Sequence, residues 1–188
     1  MTKSPKTTTA FKNSLPDNTR NSKNFHYLCT RKPISLQQRM NSQAEKQDVI
    51  DRRYLRMARI WAENSYCRRR QVGALMVRDR TIISDGYNGT PAGFENICED
   101  EHGTTKSYVL HAEANAITKV ARSNSSSEGA TLYVTASPCL DCAKLIIQAG
   151  IRRVVFDELY RITDDIDLLR RAGVEVCHID CATPSAII

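Results

Sequence analysis

The chain lacks any hydrophobic run close to the roughly 18 consecutive apolar residues that a membrane-spanning helix requires. Its first residues also lack the apolar core of a secretory signal. Without an export signal, the seven cysteines are expected to stay reduced and to bind metal or be buried, so disulfides are not predicted. These absences predict a cytoplasmic protein that does not associate with membranes.

An excess of positive charge is missing from most of the chain, although the whole carries a net charge of +6. Residues 1–50 contain nine Lys and Arg against three Asp and Glu, whereas residues 51–188 contain eighteen of each. A nucleic-acid partner is therefore not expected, because polyanion binding needs a basic face on the folded domain. The run Arg68-Arg69-Arg70 is interpreted as a solvated or subunit-contact surface rather than as a polyanion site.

The start of the chain has few apolar side chains and no hydrophobic period, and Thr, Ser, Asn, Lys and Pro dominate it. Such a segment cannot bury enough surface to offset the entropy that ordering costs. We therefore assign residues 1–46 to a disordered basic N-terminal extension, residues 47–180 to one folded domain and residues 181–188 to a C-terminal tail. A transit peptide is the alternative for this start, although its three prolines argue against the amphipathic helix that one needs.

Helical and β periodicities alternate through the rest of the chain. The apolar residues that predict the buried face of a first helix, beginning near residue 47, are Ile50, Tyr54, Met57, Ala58 and Trp61. The chain after this helix is predicted to form a β-hairpin at 72–84, a helix from 111, a strand at 131–135, a helix at 137–150, a strand at 152–156, a helix at 163–172 and a strand at 174–177. Ser137 is predicted to be a helix N-cap. The alternation predicts an α/β domain of about five strands with helices on both faces.

Two short motifs, H-A-E at residues 111–113 and P-C-L-D-C at residues 138–142, carry metal-ligand side chains. Cys139 and Cys142 are one helical turn apart, so both sulfurs can reach one ion, and a helix N-terminus favours their thiolates. His111 would be the third ligand of a tetrahedral zinc, which leaves the fourth position open to water. Because zinc lowers the pKa of such a water to roughly 7, the motifs predict hydroxide at neutral pH.

Glu113 lies two residues beyond the histidine and is predicted to be the catalytic acid and base. Its carboxylate can move the water proton to N3 of a cytosine ring that is attacked at C4, and can then protonate the departing ammonia. A redox pair or half of a structural zinc knuckle would explain a lone C-x-x-C, but both leave Glu113 without a role. H-x-E followed by P-C-x-x-C is the signature of zinc-dependent nucleobase deaminases.

From about residue 50 to residue 178 the sequence resembles the deoxycytidylate (dCMP) deaminase family. The H-x-E and P-C-x-x-C motifs are shared by the whole cytidine deaminase superfamily, whereas the glycine-rich G-Y-N-G loop singles out dCMP deaminases. The segments that carry the resemblance are Q-V-G-A at 71–74, G-Y-N-G-T-P-A-G at 86–93, H-A-E-A-N-A-I at 111–117, T-L-Y-V-T at 131–135 and S-P-C-L-D-C-A-K at 137–144.

The resemblance implies a three-layer α/β/α sandwich with a mixed sheet of about five strands, as in cytidine deaminase. It implies the hydrolytic deamination of dCMP to dUMP, which supplies thymidylate synthesis. Residue by residue, it implies that Asn88 contacts the nucleotide and that Tyr160 lies against it, and Ala112 and Ser137 complete the predicted substrate-binding set. An amide that donates and accepts, and an aromatic ring that can stack on a base, suit these roles.

The family also implies an assembly and regulators. Its members are often hexamers, and many are activated by dCTP and inhibited by dTTP, so we expect a homo-oligomer, hexamer or dimer, with dCTP and dTTP as candidate effectors. Some members hold a second, structural zinc. Its ligands here would be Cys67, Cys98 and His102, with no fourth ligand apparent, and unmetallated thiols are the alternative.

Two rivals remain open to the sequence. A tRNA adenosine deaminase, or another cytosine nucleoside or nucleotide deaminase, would use the same zinc centre, although a tRNA enzyme would want a basic face. The alternative from another class is a zinc-binding protein without catalytic activity. Such a protein would be expected to lack the glutamate at position 113, but Glu113 is present. Cys177 and His178 alternate across a strand and therefore predict no further metal site.

Overall fold

The computed structural model describes residues 35–160 and 164–181, which form four helices and five strands. The elements are, in chain order, α1 (Leu36–Ala62), β1 (Gly73–Arg78), β2 (Thr81–Tyr87), α2 (Ala112–Ala121), β3 (Thr131–Ala136), α3 (Leu140–Gln148), β4 (Arg153–Glu158), α4 (Asp164–Arg171) and β5 (Glu175–His178). The order confirms the predicted alternation of helices and strands. None of these described helices is long and apolar enough to cross a membrane.

The chain divides into two compact units, residues 1–42 and residues 43–188. In the first unit, residues 36–42 of the described part are helical, and the Ser42 hydroxyl donates a hydrogen bond to the Arg39 carbonyl at 3.0 Å. The second unit contains the sheet and all the predicted site residues. The predicted disorder of residues 1–34 and most of the predicted C-terminal tail lie outside the described residues.

The five strands form one mixed sheet in the order β2-β1-β3-β4-β5. Strand β1 pairs antiparallel with β2 and β3, whereas β3, β4 and β5 run parallel to one another through helical crossovers. Asp79 and Arg80 have φ angles of 51° and 62°. A two-residue turn with positive φ at both positions matches the right-handed twist of a hairpin, which confirms the predicted β1–β2 hairpin.

Strand pairing also decides where the site lies. Because β1 is antiparallel to β3, its first residue lies at the same edge of the sheet as the carboxyl ends of β3 and β4. The segments before β1, after β2, after β3 and after β4 therefore meet at this edge. Loops at the carboxyl ends of parallel strands are where open α/β sheets bind ligands.

Alternation along the strands builds the three layers. Ala74 and Met76 of β1 face a core formed with the helices α2, α3 and α4, whereas Leu75 and Val77 face a second core formed with α1. Successive side chains of a strand point to opposite faces, so one strand serves both cores. The predicted α/β/α sandwich is confirmed, with one helix on one face and three on the other.

Helix α1 differs from its prediction in where it begins. It starts at Leu36, so residues 36–46, which the sequence predicted to be disordered, are helical. Residues 39–46 are exposed, and no apolar stripe marks them. Gln, Arg, Met, Ala, Glu and Lys favour a helix without such a stripe, which is why the hydrophobic pattern placed the boundary too late.

The buried face of α1 also differs from its prediction. Met57 and Trp61 are 44% and 38% exposed, and the residues that the helix buries are Asp51, Leu55, Ala58 and Ala62. A charged residue is part of the buried stripe, so a search for apolar periodicity finds the neighbouring stripe instead. The indole N–H of Trp61 donates a hydrogen bond to the Asp85 carboxylate at 2.8 Å.

Asp51 is buried because the sheet supplies its partners. Its carboxylate accepts two hydrogen bonds from the Arg153 guanidinium, at 2.9 and 2.8 Å, and one from the Tyr133 hydroxyl at 2.7 Å. We expect Asp51→Asn to lower the free energy of unfolding by about 3 kcal/mol, because it leaves a buried guanidinium with an incomplete set of acceptors. Urea denaturation measures this. Asp48→Asn, which breaks a partly exposed pair with Arg52, should cost no more than about 1 kcal/mol, and equal losses would contradict the prediction.

Two glycines let helices approach the sheet backbone. A Cβ at Gly73 would overlap the Ala58 carbonyl oxygen of α1, and a Cβ at Gly86 would overlap the Ala112 carbonyl oxygen of α2 and lie 2.7 Å from the Ala116 nitrogen. Backbone atoms cannot rotate away as a side chain would, so the close approach depends on glycine.

We expect Gly86→Ala to lower the free energy of unfolding by about 2 kcal/mol, because the added methyl group pushes α2 away from β2. Urea denaturation measures the loss. Gly89→Ala is the matched control, since a Cβ there would have its nearest neighbours 3.9 Å away, in the Tyr87 ring. If both variants unfolded at the same urea concentration, the close packing of α2 on β2 would not contribute measurably to the free energy of unfolding.

Candidate active site

Three predicted metal ligands converge at the edge of the sheet described above. His111 directly precedes α2, Cys139 directly precedes α3 and Cys142 lies in the first turn of α3. The Nδ1 atom of His111 is 3.4 Å from the Cys139 sulfur and 3.5 Å from the Cys142 sulfur. Within residues 35–160 and 164–181, this is the only group of three or more His, Cys, Asp or Glu side chains placed to hold one metal ion.

The local backbone explains how this group forms. An isolated bridge between Gly89 and Leu110 ties the end of the glycine loop to the residue before His111. Cys139 is the N-cap of α3 in extended conformation, and Cys142 follows one turn later. Both helices therefore direct their N-termini, where the macrodipole favours anions, toward the same point.

The two thiols have different acidities. Hydrogen bonds from Cys142 and His111 lower the pKa of Cys139 to about 3, so this sulfur ionises first. The neighbouring Cys139 sulfur and burial raise the pKa of Cys142 above its ordinary value. A divalent cation between them would favour the thiolate of both, because opposite charge stabilises the ionised form.

Glu113 is buried in the first turn of α2, with 4% of its surface exposed. Burial raises the pKa of its carboxyl to about 7, and the nearby His111 opposes the shift. A carboxyl of this kind can give or take a proton near neutral pH. Glu113 lines the same cavity as His111 and Cys139.

A cavity of about 610 Å³ opens beside this group. Its size falls within the range of small-molecule sites, which run from about 300 to about 1,000 Å³. The residues that line it come from all four segments at the sheet edge and from the loop before α2. Among them are Arg69, Arg70, Asn88, Thr105, His111, Glu113, Ser137, Cys139 and Tyr160.

Asn88 lines the cavity and also joins the segment after β2 to the segment before β1 through hydrogen bonds. Its side-chain oxygen accepts from the Val72 N–H at 2.7 Å, and its side-chain nitrogen donates to the Arg70 carbonyl at 2.8 Å. The amide keeps one further hydrogen and one further lone pair for a ligand. Asn88 thus has a structural role that the sequence did not show, and its contact with a substrate stays a prediction.

Ser137 and Tyr160 lie side by side at the carboxyl ends of β3 and β4. The Ser137 hydroxyl accepts a hydrogen bond from the Tyr160 N–H at 2.9 Å, and the Arg70 guanidinium lies 4.2 Å from the centre of the Tyr160 ring. The prediction that Ser137 caps α3 is wrong, because α3 begins at Leu140 and Cys139, in extended conformation, is its N-cap. Ser137 instead holds the backbone of Tyr160.

Ala112, predicted to bind substrate, has a fully buried side chain in the core. Its methyl group does not line the cavity. Its backbone N–H lies in the first turn of α2, where helix N–H groups have no acceptor within the helix. Its role in substrate binding therefore stays a prediction.

Comparison with known proteins agrees with this geometry. The family model described as "Cytidine and deoxycytidylate deaminase zinc-binding region" matches residues 48–158. The chain belongs to this deaminase family. The His111, Cys139 and Cys142 group is its candidate zinc site.

Individual proteins are similar over most of the folded part. Deoxycytidylate deaminase of Enterobacteria phage T4 is 37% identical over 168 residues, covering 66% of this chain and 87% of the phage protein. ComE operon protein 2 of Bacillus subtilis is 36% identical and covers 68% of this chain and 69% of its own. A crystal structure of dCMP deaminase from cyanophage S-TIM5, in complex with dCMP and dUMP, superposes with a TM-score of 0.65 at 47% identity, covering 67% of this chain and 93% of that one.

The second zinc site predicted for this deaminase is not assembled as expected. Cys67 and Cys98 are buried next to each other. Burial is the main cause that raises the pKa of Cys98, and the hydrogen bond with the Cys67 thiol raises it further. His102 does not join them. It lies beside Glu101 with 81% of its side chain exposed, because Asp100 accepts its backbone N–H and holds the loop in a turn. The structure does not bring His102 to these two thiols, and a second zinc site stays an untested prediction.

Cys177 and His178 lie on opposite faces of β5, as the alternation of a strand predicts. The Cys177 sulfur accepts from Arg153 at 3.2 Å, whereas the His178 ring stacks on Phe156 on the other side of β5. The two side chains therefore do not share a ligand position.

The cavity of this deaminase also contains residues that the sequence analysis did not assign to it. Arg69 and Arg70 line it, with Glu99 and Thr105 from the loop before α2. The run of three arginines was interpreted as a surface, and its position directly before the Q-V-G-A segment was the signal that could have placed it at the site.

Proposed function

We propose that this chain hydrolyses dCMP to dUMP and ammonia with a zinc ion held by His111, Cys139 and Cys142. The observation that carries the proposal is the convergence of three zinc-type ligands beside a nucleotide-sized cavity that a buried carboxylate also lines. The dCMP deaminases of phage T4 and cyanophage S-TIM5 are similar over two thirds of the chain, and the latter binds dCMP and dUMP in its crystal structure.

The donor set fits zinc. One imidazole nitrogen and two thiolate sulfurs form a borderline-soft set, and three protein ligands leave a coordination position open. When bound, zinc supplies a nucleophile at neutral pH by lowering the pKa of water to roughly 7.

Glu113 moves the protons of the reaction. Deamination consumes one water and releases ammonia, so ring nitrogen N3 must gain a proton and the departing C4 nitrogen must gain another. The Glu113 carboxylate takes protons from the water oxygen and returns them to these two nitrogens. Its burial keeps competing water away from the transfer.

The remaining cavity residues orient the nucleotide. Tyr160 offers its ring to the substrate, and Ser137 fixes the backbone that carries that ring. The side-chain amide of Asn88 forms hydrogen bonds to the nucleotide with its remaining hydrogen and lone pair, and the Ala112 N–H is a further donor.

A substrate panel tests the proposal. The zinc-loaded full chain is assayed with dCMP, dCTP, deoxycytidine, CMP and a tRNA anticodon stem-loop, and dCMP is expected to give the highest kcat/KM. Turnover confined to the stem-loop, or absent with every substrate, would contradict it. The neutral charge of residues 51–188 argues against the stem-loop.

The wider context of the enzyme completes the proposal. We propose that it supplies dUMP for thymidylate synthesis in the cytoplasm, that it assembles as a homo-oligomer, hexamer or dimer, and that dCTP and dTTP act as effectors. The division into an N-terminal extension, a deaminase domain and a C-terminal tail also stays a prediction.

A further inference from the structure

We propose that Asn115 is a positioning residue for deamination, because it joins the turn of α2 that carries Glu113 to the loop that carries Asn88. The inference rests on the proposed function, since it names a residue that sets the distance between the acid and base and a substrate contact. Asn115 belongs to the H-A-E-A-N-A-I segment, of which the site described above uses only the first three residues.

Asn115 lies in the first half of α2 and does not line the cavity. Each residue of an α-helix turns by about 100°, so the side chains of Glu113 and Asn115 leave the helix on nearly opposite sides. Glu113 lines the cavity, whereas half-buried Asn115 faces the end of β2. Asn115 is therefore placed to hold the helix rather than to touch the substrate.

Two hydrogen bonds leave Asn115 in different directions. Its side-chain nitrogen donates to the Tyr87 carbonyl at 2.9 Å, and its backbone N–H donates to the His111 carbonyl at 2.9 Å. Tyr87 directly precedes Asn88, and His111 belongs to the candidate zinc site. One residue thus connects the metal-binding end of α2 with the loop that offers the predicted nucleotide contact.

The residue on the other side of Asn88 is tied to the same part of the chain. The Gly89 N–H donates to the Leu110 carbonyl at 3.0 Å, and the Leu110 N–H donates to the Gly89 carbonyl at 2.8 Å. The backbone on both sides of Asn88 is therefore fixed to the segment that begins α2. Of these two ties, the one that Asn115 makes is the one that a side-chain substitution removes.

The chemistry of the reaction explains why this distance matters. In the proposed reaction Glu113 moves protons to two nitrogens of the base, while Asn88 contacts the same nucleotide. Proton transfer requires groups within hydrogen-bond reach, and a misplacement of about 1 Å can lower a rate about 10²-fold. Without the Asn115 bond, α2 and the loop can shift against each other, so alignment in the transition state suffers more than binding.

Ser84 offers a matched control in the same pair of elements. Its buried hydroxyl donates to the Ala116 carbonyl at 2.8 Å, so it also bonds β2 to α2. Ser84 lies three residues before Tyr87, which places this bond about 10 Å farther from the loop along the strand. A residue that only stabilises α2 on β2 would behave like Ser84, whereas a positioning residue would not.

The kinetic test uses the zinc-loaded full chain with dCMP, and rates are expressed per bound zinc. Asn115→Leu keeps the approximate size of the side chain but removes the donor, and it is expected to lower kcat by about 10- to 100-fold while KM changes by less than about 3-fold. Asn115→Gln, which keeps an amide donor, should restore part of the loss. Ser84→Ala should lower the Tm and leave kcat unchanged. Equal losses of kcat in Asn115→Leu and Ser84→Ala would show a purely structural role and overturn the inference.

Hydrogen exchange separates this inference from the proposed function, because it needs no turnover. The Gly89 and Leu110 amides should exchange by local opening about 2- to 10-fold faster in Asn115→Leu, the effect of one lost hydrogen bond, and at the unaltered rate in Ser84→Ala. Deamination of dCMP by Asn115→Leu at the unaltered kcat would overturn the inference and leave the function standing. Faster exchange in a chain that does not deaminate dCMP would overturn the function and leave the tie between α2 and the loop standing.

Discussion

Glu113→Gln is expected to lower kcat for dCMP by about 10²- to 10⁴-fold, the usual contribution of a positioned acid and base. Glutamine keeps the shape of the side chain and fills the same buried position in α2, but its amide cannot take a proton from water or return one to N3 and the leaving nitrogen. Steady-state kinetics with dCMP measure the loss.

The matched readout is the zinc content of the same variant. Glu113 is not one of the three converging ligands, so metal analysis should find as much zinc in Glu113→Gln as in the unaltered chain. Glu101→Gln, which changes a carboxylate that is 85% exposed, should retain full activity. A Glu113→Gln enzyme that kept most of its kcat would show that another group carries the protons.

Cys142→Ser should abolish both zinc binding and turnover. The serine hydroxyl has nearly the size of the thiol but is not deprotonated near neutral pH, so only His111 and Cys139 remain as ligands. Activity is expected to fall below detection. The folded state should also lose the stabilisation that zinc provides, which is about 2.7 kcal/mol when free zinc is at 100 times its dissociation constant.

Thermal unfolding with and without a chelator measures this second effect. A chelator should lower the Tm of the unaltered chain and leave the Tm of Cys142→Ser unchanged. Cys181→Ser is the control, because Cys181 lies beside Asp157, outside the ligand group, and should keep zinc, activity and the response to the chelator. A Cys142→Ser protein that bound a full equivalent of zinc would place the metal elsewhere.

The α/β character of the domain followed from local patterns because strands and helices carry their own periods. Asp79 and Arg80 stand between two β-rich runs, and the observed hairpin turns there. The metal ligands were also accessible, since the spacing of Cys139 and Cys142 is that of one helical turn whatever surrounds it.

Features that depend on partners distant in the sequence could not be predicted from local patterns. The true buried stripe of α1 contains Asp51, whose carboxylate is neutralised by Arg153, 102 residues away in the chain. The wrong cap at Ser137 has a similar cause, because the hydroxyl that could cap α3 accepts from Tyr160 at the end of another strand. No local signal announces such partners.

The sequence by itself determined the chemistry of this protein: a histidine, a glutamate and two cysteines at the spacing of a zinc-dependent deaminase. That information is local, because each motif lies in one turn at the start of a helix. Only the tertiary structure decided which side chains surround that chemistry. Strand order brings the segments before β1, after β2, after β3 and after β4 to one edge, and there it places Arg69 and Arg70 at the cavity and pairs Arg70 with Glu158.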